Sequence, residues 1–368
     1  MKIRSLETQV VSIPLPVPVA DAVRTITHRD HLIVRLTAEN GATGIGFSLG
    51  YDGARAMAAR AAEIFAPVVT AADVFESERL WSAMYRQSIQ AGRRGAALRA
   101  ISAIDIAFWD LRGRLLQRPV MELLGVQSRK LRCYATGGYY RRGQKIDQLV
   151  AEVGRILEYG FTAVKLKVGA LPPREDAERV EAVRRTFGGE IDILLDANGG
   201  WSSAVEAISA VRRLEEFSPY WIEEPVRADN LEAMRRVAAE LDTPVATGEL
   251  EATRWAFAEL ALTKAADILQ PDATVCGGVG EWLRIAHMAA SMDIPIAPHY
   301  NWDIHSQLCA TIPNCLFIEY FLAQDGVKVF DSLLRNPMKV VHGWIVPRQE
   351  PGFGIELNEE EVARYRVL

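Results

Sequence analysis

Residues 162–168 read TAVKLKV, and the same short form recurs as IDILLDAN (191–198), YWIEEP (220–225), TPVATGE (243–249), DILQPD (267–272), IPIAPH (294–299) and CLFIEY (315–320). Each is an apolar, β-rich run of strand length that ends on a polar side chain. Between them lie stretches such as DQLVAEVGRILEYG (147–160) and SAVEAISAVRRLEEF (203–217), apolar at i, i+3, i+4 and i+7 and charged elsewhere, as helices covering a sheet require. Strands alternating with such helices predict βαβ units and a parallel sheet. With RCYATGG (132–138) as the first strand the count reaches eight, so the fold class is α/β, a modified TIM (β/α) barrel over residues 126–323 whose last helices are short or altered. A doubly wound open sheet is the alternative, because periodicity does not reveal closure.

Upstream, the rhythm differs. IRSLETQVVSIPL (3–15) and HLIVRLTAENGATGIGFSLG (31–50) read as an antiparallel meander with a turn at Glu39-Asn40-Gly41. ALRAISAIDIAFWDLRGRLL (97–116) has helical spacing, and Gly125 stands as a stop. Residues 1–125 therefore form an N-terminal α+β capping domain. Residues 324–368, with Pro337, Pro347 and Pro351, do not continue the repeat and are expected to return to the cap. A chain of 368 residues with 49% hydrophobic content has enough material for two such units.

Forty-two basic residues against 47 acidic ones give a net charge of -5, with no basic stripe. That pattern argues against nucleic acid and anionic membrane as partners and leaves a small molecule. The opening MKIRSLETQVVSIPLP lacks a signal-peptide core, and no run approaches the roughly 20 apolar residues of a membrane span. A cytoplasmic protein is expected. Cys133, Cys276, Cys309 and Cys315 have no CxxC or zinc spacing and read as buried thiols of a reducing compartment.

In a β/α barrel the carboxyl ends of the strands converge on one face, so the residues ending each run define the candidate site. They are Lys165 and Lys167, Asp196 and Asn198, Glu223 and Glu224, Glu249, Asp272, His299 and Glu319. Asp196, Glu223 and Glu249 on successive strands make a hard, all-oxygen site suited to Mg²⁺ rather than Zn²⁺. Glu224 reads as structural, since adjacent strand residues point to opposite faces. Lys165 and Lys167 share a face, where two ammonium groups depress each other's pKa and one becomes a general base. Asp272 and His299 form a second acid/base unit, the carboxylate fixing the imidazole tautomer. Glu319 is read as a protonated carboxyl facing a developing oxyanion, with neutralisation of the lysines as the other reading. His287, His305 and His342 read as structural. A carboxylate held on Mg²⁺ with a base on each side of its α-carbon is an arrangement for enediolate chemistry.

These motifs, Lys165-Leu166-Lys167, Asp196-Ala197-Asn198, Trp221-Ile222-Glu223-Glu224-Pro225, Gly248-Glu249, Pro271-Asp272, Pro298-His299 and Glu319, resemble the enolase superfamily and, within it, the mandelate racemase subgroup. The resemblance covers almost the whole chain. It implies one Mg²⁺ per active site on Asp196, Glu223 and Glu249, Lys167 as base on one face, and His299 with Asp272 on the other. Lys165 and Glu319 would touch the substrate carboxylate. Relatives resembling muconate cycloisomerases and dipeptide epimerases place a lysine where this chain has Asp272. The N-terminal domain is similar to a cap that closes over the barrel and selects the substrate.

The segment ADAVRTITHRDH (20–31), read as a cap loop, offers donors in Arg24, Thr25, Thr27, His28 and Arg29 rather than an apolar lining. Tyr139, Tyr140, Arg141 and Arg142 after the first strand, and Tyr300, Asn301 and Trp302 after the seventh, add more. Candidate substrate contacts are thus Asn198, Arg24, His28, Arg29, Tyr140, Arg141 and Tyr300, and a polar lining points to a polyhydroxy acid. The leading expectation is dehydration of an acid sugar to a 2-keto-3-deoxy sugar acid. Racemisation or epimerisation of an α-hydroxy acid is the alternative, and a non-catalytic metal- and carboxylate-binding barrel a third. A homo-oligomer is expected.

Overall fold

The computed structural model describes all 368 residues. Strands β1 (Ile3–Ala20), β2 (Thr25–Ala38) and β3 (Thr43–Leu49) form an antiparallel meander. The turn at residues 39–41 joins the last two, with Gly41 at φ +87°. Pairing of β1 with β2 runs from Ile3↔Ala38 to Ala20↔Thr25, with a register shift between Pro14 and Val19. The segment read as a cap loop is therefore strand from Thr25 onward, and only residues 21–24 form the loop. Prolines 14, 16 and 18 bring no N–H to the ladder, which accounts for the irregularity.

Helices α1 (Ala54–Ala59), α2 (Ala66–Val69), α3 (Ser77–Ser88), α4 (Ala96–Leu116) and α5 (Val120–Leu124) follow. The long α4 lies on the meander, where Gly44 and Gly46 of β3 let the two backbones meet. A Cβ built on Gly46 would stand 1.9 Å from the Ala103 carbonyl oxygen. Phe65, Leu98, Ile101, Ile104 and Phe108 fill the cap's own core.

The second unit alternates β4 (Leu131–Gly137), α6 (Ile146–Glu158), β5 (Ala163–Lys167), α7 (Pro173–Phe187), β6 (Asp192–Asp196), α8 (Ala204–Leu214), β7 (Trp221–Glu223), α9 (Leu231–Glu240), β8 (Val245–Thr247), α10 (Thr253–Leu262), β9 (Ile268–Leu269), α11 (Val279–Ala290), α12 (Trp302–Cys309) and β10 (Ile318–Tyr320). Seven strands run parallel in the order β10-β4-β5-β6-β7-β8-β9. The run at 294–299 is not a regular strand, because Pro295 and Pro298 remove donors. It still closes the ring: Ala297 N–H donates to the Leu269 carbonyl at 3.0 Å, and Leu316 N–H to the Ile296 carbonyl at 2.8 Å. Tyr134, Ala163, Leu194, Trp221, Ala246, Ile268, Ala297 and Phe317, one from each of the eight staves, plug the barrel interior. Large and small side chains are interleaved in that layer, so the barrel is a packed core that supports whatever stands above it.

The tail touches both units. β11 (Trp344–Ile345) pairs antiparallel with β4, while α13 (Glu359–Tyr365) precedes an end that exchanges backbone bonds with Val10. All four cysteines are free thiols. No helix is long and apolar enough to cross a membrane.

Candidate active site at the barrel mouth

Parallel pairing sets the heart of the site. Lys167 on β5 is in register with Asp196 on β6, and Asp196 with Glu223 on β7, so these three side chains share one level just above the interior layer. Lys165, two residues before Lys167, shares its face and lies over the Tyr134 ring at 5.4 Å. Glu249 follows β8 through Gly248, whose Cβ would meet the Phe257 ring at 2.7 Å. Ligand oxygens of Asp196, Glu223 and Glu249 all lie within 4.8 Å of one another, and the three residues are buried.

The triad fits a hard divalent cation on its own chemistry. Burial together with the charge of Asp196 pushes the Glu223 carboxyl above its ordinary range, and burial with Glu249 does the same to Glu224. Carboxylates gathered in this way demand positive charge. Part of it comes from the lysines. Lys165 Nζ is 2.8 Å from Glu223 Oε1 and 2.9 Å from Glu319 Oε1, and Lys167 Nζ is bonded to Asp196 Oδ2. Burial alone would lower both ammonium pKa values, but Glu223 and Glu319 around Lys165, and Asp196 beside Lys167, hold both above the ordinary lysine range. The expected mutual depression is thus outweighed here, because the carboxylate charge beside each ammonium acts on it more strongly than its twin does.

Glu319 is also corrected. Its oxygens accept from Lys165, from Thr136 Oγ1 at 2.5 Å and from the Tyr300 N–H at 2.7 Å. Burial would raise its pKa, but Lys165, His299 and Thr136 bring it below the usual range, so it is an ionised acceptor that neutralises Lys165.

Across the mouth, His299 Nδ1 is 3.1 Å from Asp272 Oδ2 and its Nε2 is 3.5 Å from Glu249 Oε2. Burial disfavours the imidazolium, but Glu249 and Asp272 raise its pKa to about 10. Asp272 is held by Asn301 Nδ2 at 3.1 Å and by the Thr274 N–H at 2.7 Å. His305, 3.6 Å from Asp272, accepts from the Ala273 N–H through Nε2. Burial lowers its pKa to about 4, so it stays neutral and braces the dyad's backbone. Glu224 is buried with φ +41°, and its Oε1 has no partner.

One small enclosed cavity collects Lys165, Lys167, Asn198, Glu249, His299 and Glu319 from the barrel and Arg24 and Arg29 from the cap. Tyr300 lines it too, stacked on His299 with ring centroids 5.4 Å apart. Three of the expected substrate contacts lie elsewhere. His28 is on the outer face of β2, 3.7 Å from Asp30 and from Asp52. Tyr140 turns away to donate to Asp176 at 2.7 Å, its backbone tied to Ala20, and Arg141 borders two outer clefts. Its neighbour Tyr139 faces the cavity instead, with Asp21, Leu49, Tyr51 and Phe321, four residues not singled out from sequence. Tyr139 and Tyr140 look alike in a loop, and only the alternation of the chain past β4 separates them.

Comparison with known proteins agrees with this architecture. Residues 5–125 match the mandelate racemase / muconate lactonizing enzyme N-terminal domain, and residues 148–362 the enolase C-terminal domain-like family. The chain is 33% identical to an arabinonate dehydratase of Saccharolobus solfataricus, over 90% of this chain and 89% of that protein. It is 32% identical to the L-talarate/galactarate dehydratase of Salmonella typhimurium, over 98% and 90%. A racemase from Streptomyces coelicolor A3(2), crystallised with bound magnesium, superposes with a TM-score of 0.94 at 29% identity, over 99% of this chain and 100% of that one. With both halves matched and the strand-end residues converging on one mouth, the chain belongs to the mandelate racemase / muconate lactonizing enzyme family of the enolase superfamily.

Proposed function

We propose that the protein is a Mg²⁺-dependent hydro-lyase that dehydrates a sugar acid to a 2-keto-3-deoxy sugar acid. The observation that carries this reading is the single cavity in which Lys167 and His299 both face one space beside the Asp196–Glu223–Glu249 triad. The names of the dehydratase relatives support it. A cation held by the three carboxylates would supply positive charge for the substrate carboxylate and for the charge that develops on its oxygens.

Lys165 stands ready to donate to the same carboxylate, with Glu319 holding its ammonium in place. Lys167 takes the α-proton. Were Asp196 to hold a cation, Lys167 would keep Lys165 as a like-charged neighbour, which would lower its hold on its own proton. His299, protonated and oriented by Asp272, directs Nε2 into the cavity and gives its proton to the departing β-hydroxyl. The β-hydroxyl leaves as water carrying the His299 proton while the α-proton stays on Lys167, the two groups regain their starting protonation through solvent, and the enol tautomerises to the keto acid. The partition between the two groups follows substrate stereochemistry, and a reversed assignment uses the same atoms.

Epimerisation at the α-carbon is the second reading, favoured by the racemase among the similar structures. Incubating sugar acids with enzyme and Mg²⁺ in D₂O separates the two. Formation of a keto acid supports dehydration, and deuterium at a retained or inverted α-carbon supports epimerisation. Lys167→Ala and His299→Asn should each abolish exchange or elimination while Mg²⁺ still binds. Full activity in both variants would sink the assignment of Lys167 and His299, and silence of the wild type across mono- and diacids would leave a non-catalytic binding barrel.

A further inference from the structure

Every cation lining the cavity has a carboxylate partner except one. Arg24 pairs with Asp21 at 3.1 Å, Lys165 with Glu223 and Glu319, Lys167 with Asp196, and His299 with Asp272. Arg29 is only 4% exposed, yet it forms no ion pair, and its Nε has no hydrogen-bond partner. Its guanidinium lies 5.5 Å from the Tyr300 ring centroid, and the charged or titratable groups that bear on it most are Tyr300, Tyr139, Tyr51 and Arg24. Tyr300 is itself 2% exposed with its hydroxyl unpartnered.

A guanidinium remains protonated at any working pH, and a buried charge without a counter-ion is costly. The site therefore lacks an anion at this end. From the metal triad the contacts run Glu249 to His299, His299 to Tyr300, and Tyr300 to Arg29, so the missing charge lies on the cap side of the acid/base pair. The planar fork of an arginine matches a carboxylate, and the tyrosine hydroxyl adds a neutral donor.

We infer that Arg29, with Tyr300, binds a second carboxylate at the far end of the substrate, so that the enzyme selects doubly acidic sugars over their monoacid counterparts. This rests on the sugar-acid reading above. A terminal phosphate presents the same kind of charge, but it is bulkier than a carboxylate in a small enclosed cavity.

The test compares Mg²⁺-loaded wild type with Arg29→Met by titration calorimetry and by turnover. The ligands are four- to six-carbon diacids, the matched monoacids, and a 6-phosphorylated aldonate. Diacids should bind wild type at least about tenfold more tightly than monoacids, and Arg29→Met should cut diacid affinity and kcat/KM roughly a hundredfold while changing monoacids about threefold or less. Tyr300→Phe should reduce the same preference by about three- to tenfold, through loss of one donor. Arg29→Met should unfold at a temperature no lower than wild type without ligand, since it removes an uncompensated charge. Equal weakening of diacids and monoacids, a wild-type preference for monoacids, or tighter binding of the phosphorylated aldonate than of any diacid would overturn the inference. Arg29-dependent binding of diacids without proton exchange or elimination would uphold it while the dehydratase reading fails. Dehydration of diacids unaffected by Arg29→Met would do the reverse.

Discussion

His299 offers Nδ1 to Asp272 Oδ2 at 3.1 Å, which leaves Nε2 as the nitrogen facing the cavity, 3.5 Å from Glu249. Asp272 is the part of this pair that sequence alone makes hardest to value, because it reaches no other group in the cavity. Its two oxygens are committed to His299, Asn301 and Thr274. Asp272→Asn leaves the shape intact but replaces an acceptor with a donor on one side, so the imidazole loses both its fixed tautomer and the charge that sustains its protonated form. The expected result is a fall in kcat of about 10² to 10⁴-fold with Mg²⁺ affinity unchanged. Parallel loss of Mg²⁺ binding would show instead that Asp272 shapes the metal site.

Glu249 gives the cleanest test of the triad, because Asp196 and Glu223 are bound to the lysines and Glu249 is not. Glu249→Gln therefore removes a cation ligand without leaving a buried ammonium unpaired. Wild type should gain thermal stability with Mg²⁺, about 2.7 kcal/mol at a hundred times the Kd. The variant should gain little at the same concentration. Calorimetric unfolding with Mg²⁺ and with a chelator checks this, and an equal gain in both proteins would place the cation elsewhere.

Gly46 tests the packing that holds the cap together. Its Cβ would overlap the Ala103 carbonyl oxygen and stand 2.6 Å from the Ala107 N–H nitrogen, both backbone atoms of α4. Backbone cannot step aside as a flexible side chain can. Gly46→Ala should destabilise the protein by about 3 kcal/mol or more, read as a lower denaturation midpoint or loss of soluble protein. Gly53→Ala, where no atom lies within 4 Å of the added carbon, is the matched control and should change little.

The barrel was legible because its strands are buried on both faces, so each reads as an apolar run, and seven polar ends at similar spacing overdetermine one site. IPIAPH shows where that reading loosens. Its prolines leave only bridges at Ile296, yet the stave survives because its neighbours supply the bonds. The cap was less legible. THRDH (27–31) is polar and reads as loop, but it is part of a long hairpin, where one face meets water at His28 and the other turns inward, to the cavity at Arg29 and to Phe330 of the tail at His31. Which residue turns inward there depends on the register shift after Pro14, a tertiary property with no local signature. Tyr51 and Phe321 were missed for the same reason: they approach the cavity from elements that become neighbours only on folding.

His31 carries the pH prediction. It is fully buried where β2 meets the tail, its ring tilted 45° to that of Phe330 with centroids 4.8 Å apart, and neither ring nitrogen has a partner. Burial, with Arg29 and Lys328 nearby, lowers its pKa from 6.5 to about 3. The unfolded chain thus takes up a proton below about pH 6.5 that the folded protein refuses until near pH 3. With more protons on the unfolded state, this site's contribution to stability is undiminished above pH 6.5 and is lost as pH falls toward 3, by about 1.4 kcal/mol per unit at most. His31→Phe removes the titration and keeps an aromatic ring against Phe330. The stability difference between variant and wild type should therefore be flat above pH 7 and shift in favour of the variant from pH 6 to pH 4. Denaturation at a series of pH values measures it. A difference independent of pH would mean that His31 is protonated in the folded protein as readily as in the unfolded chain, through a partner or an opening that admits water.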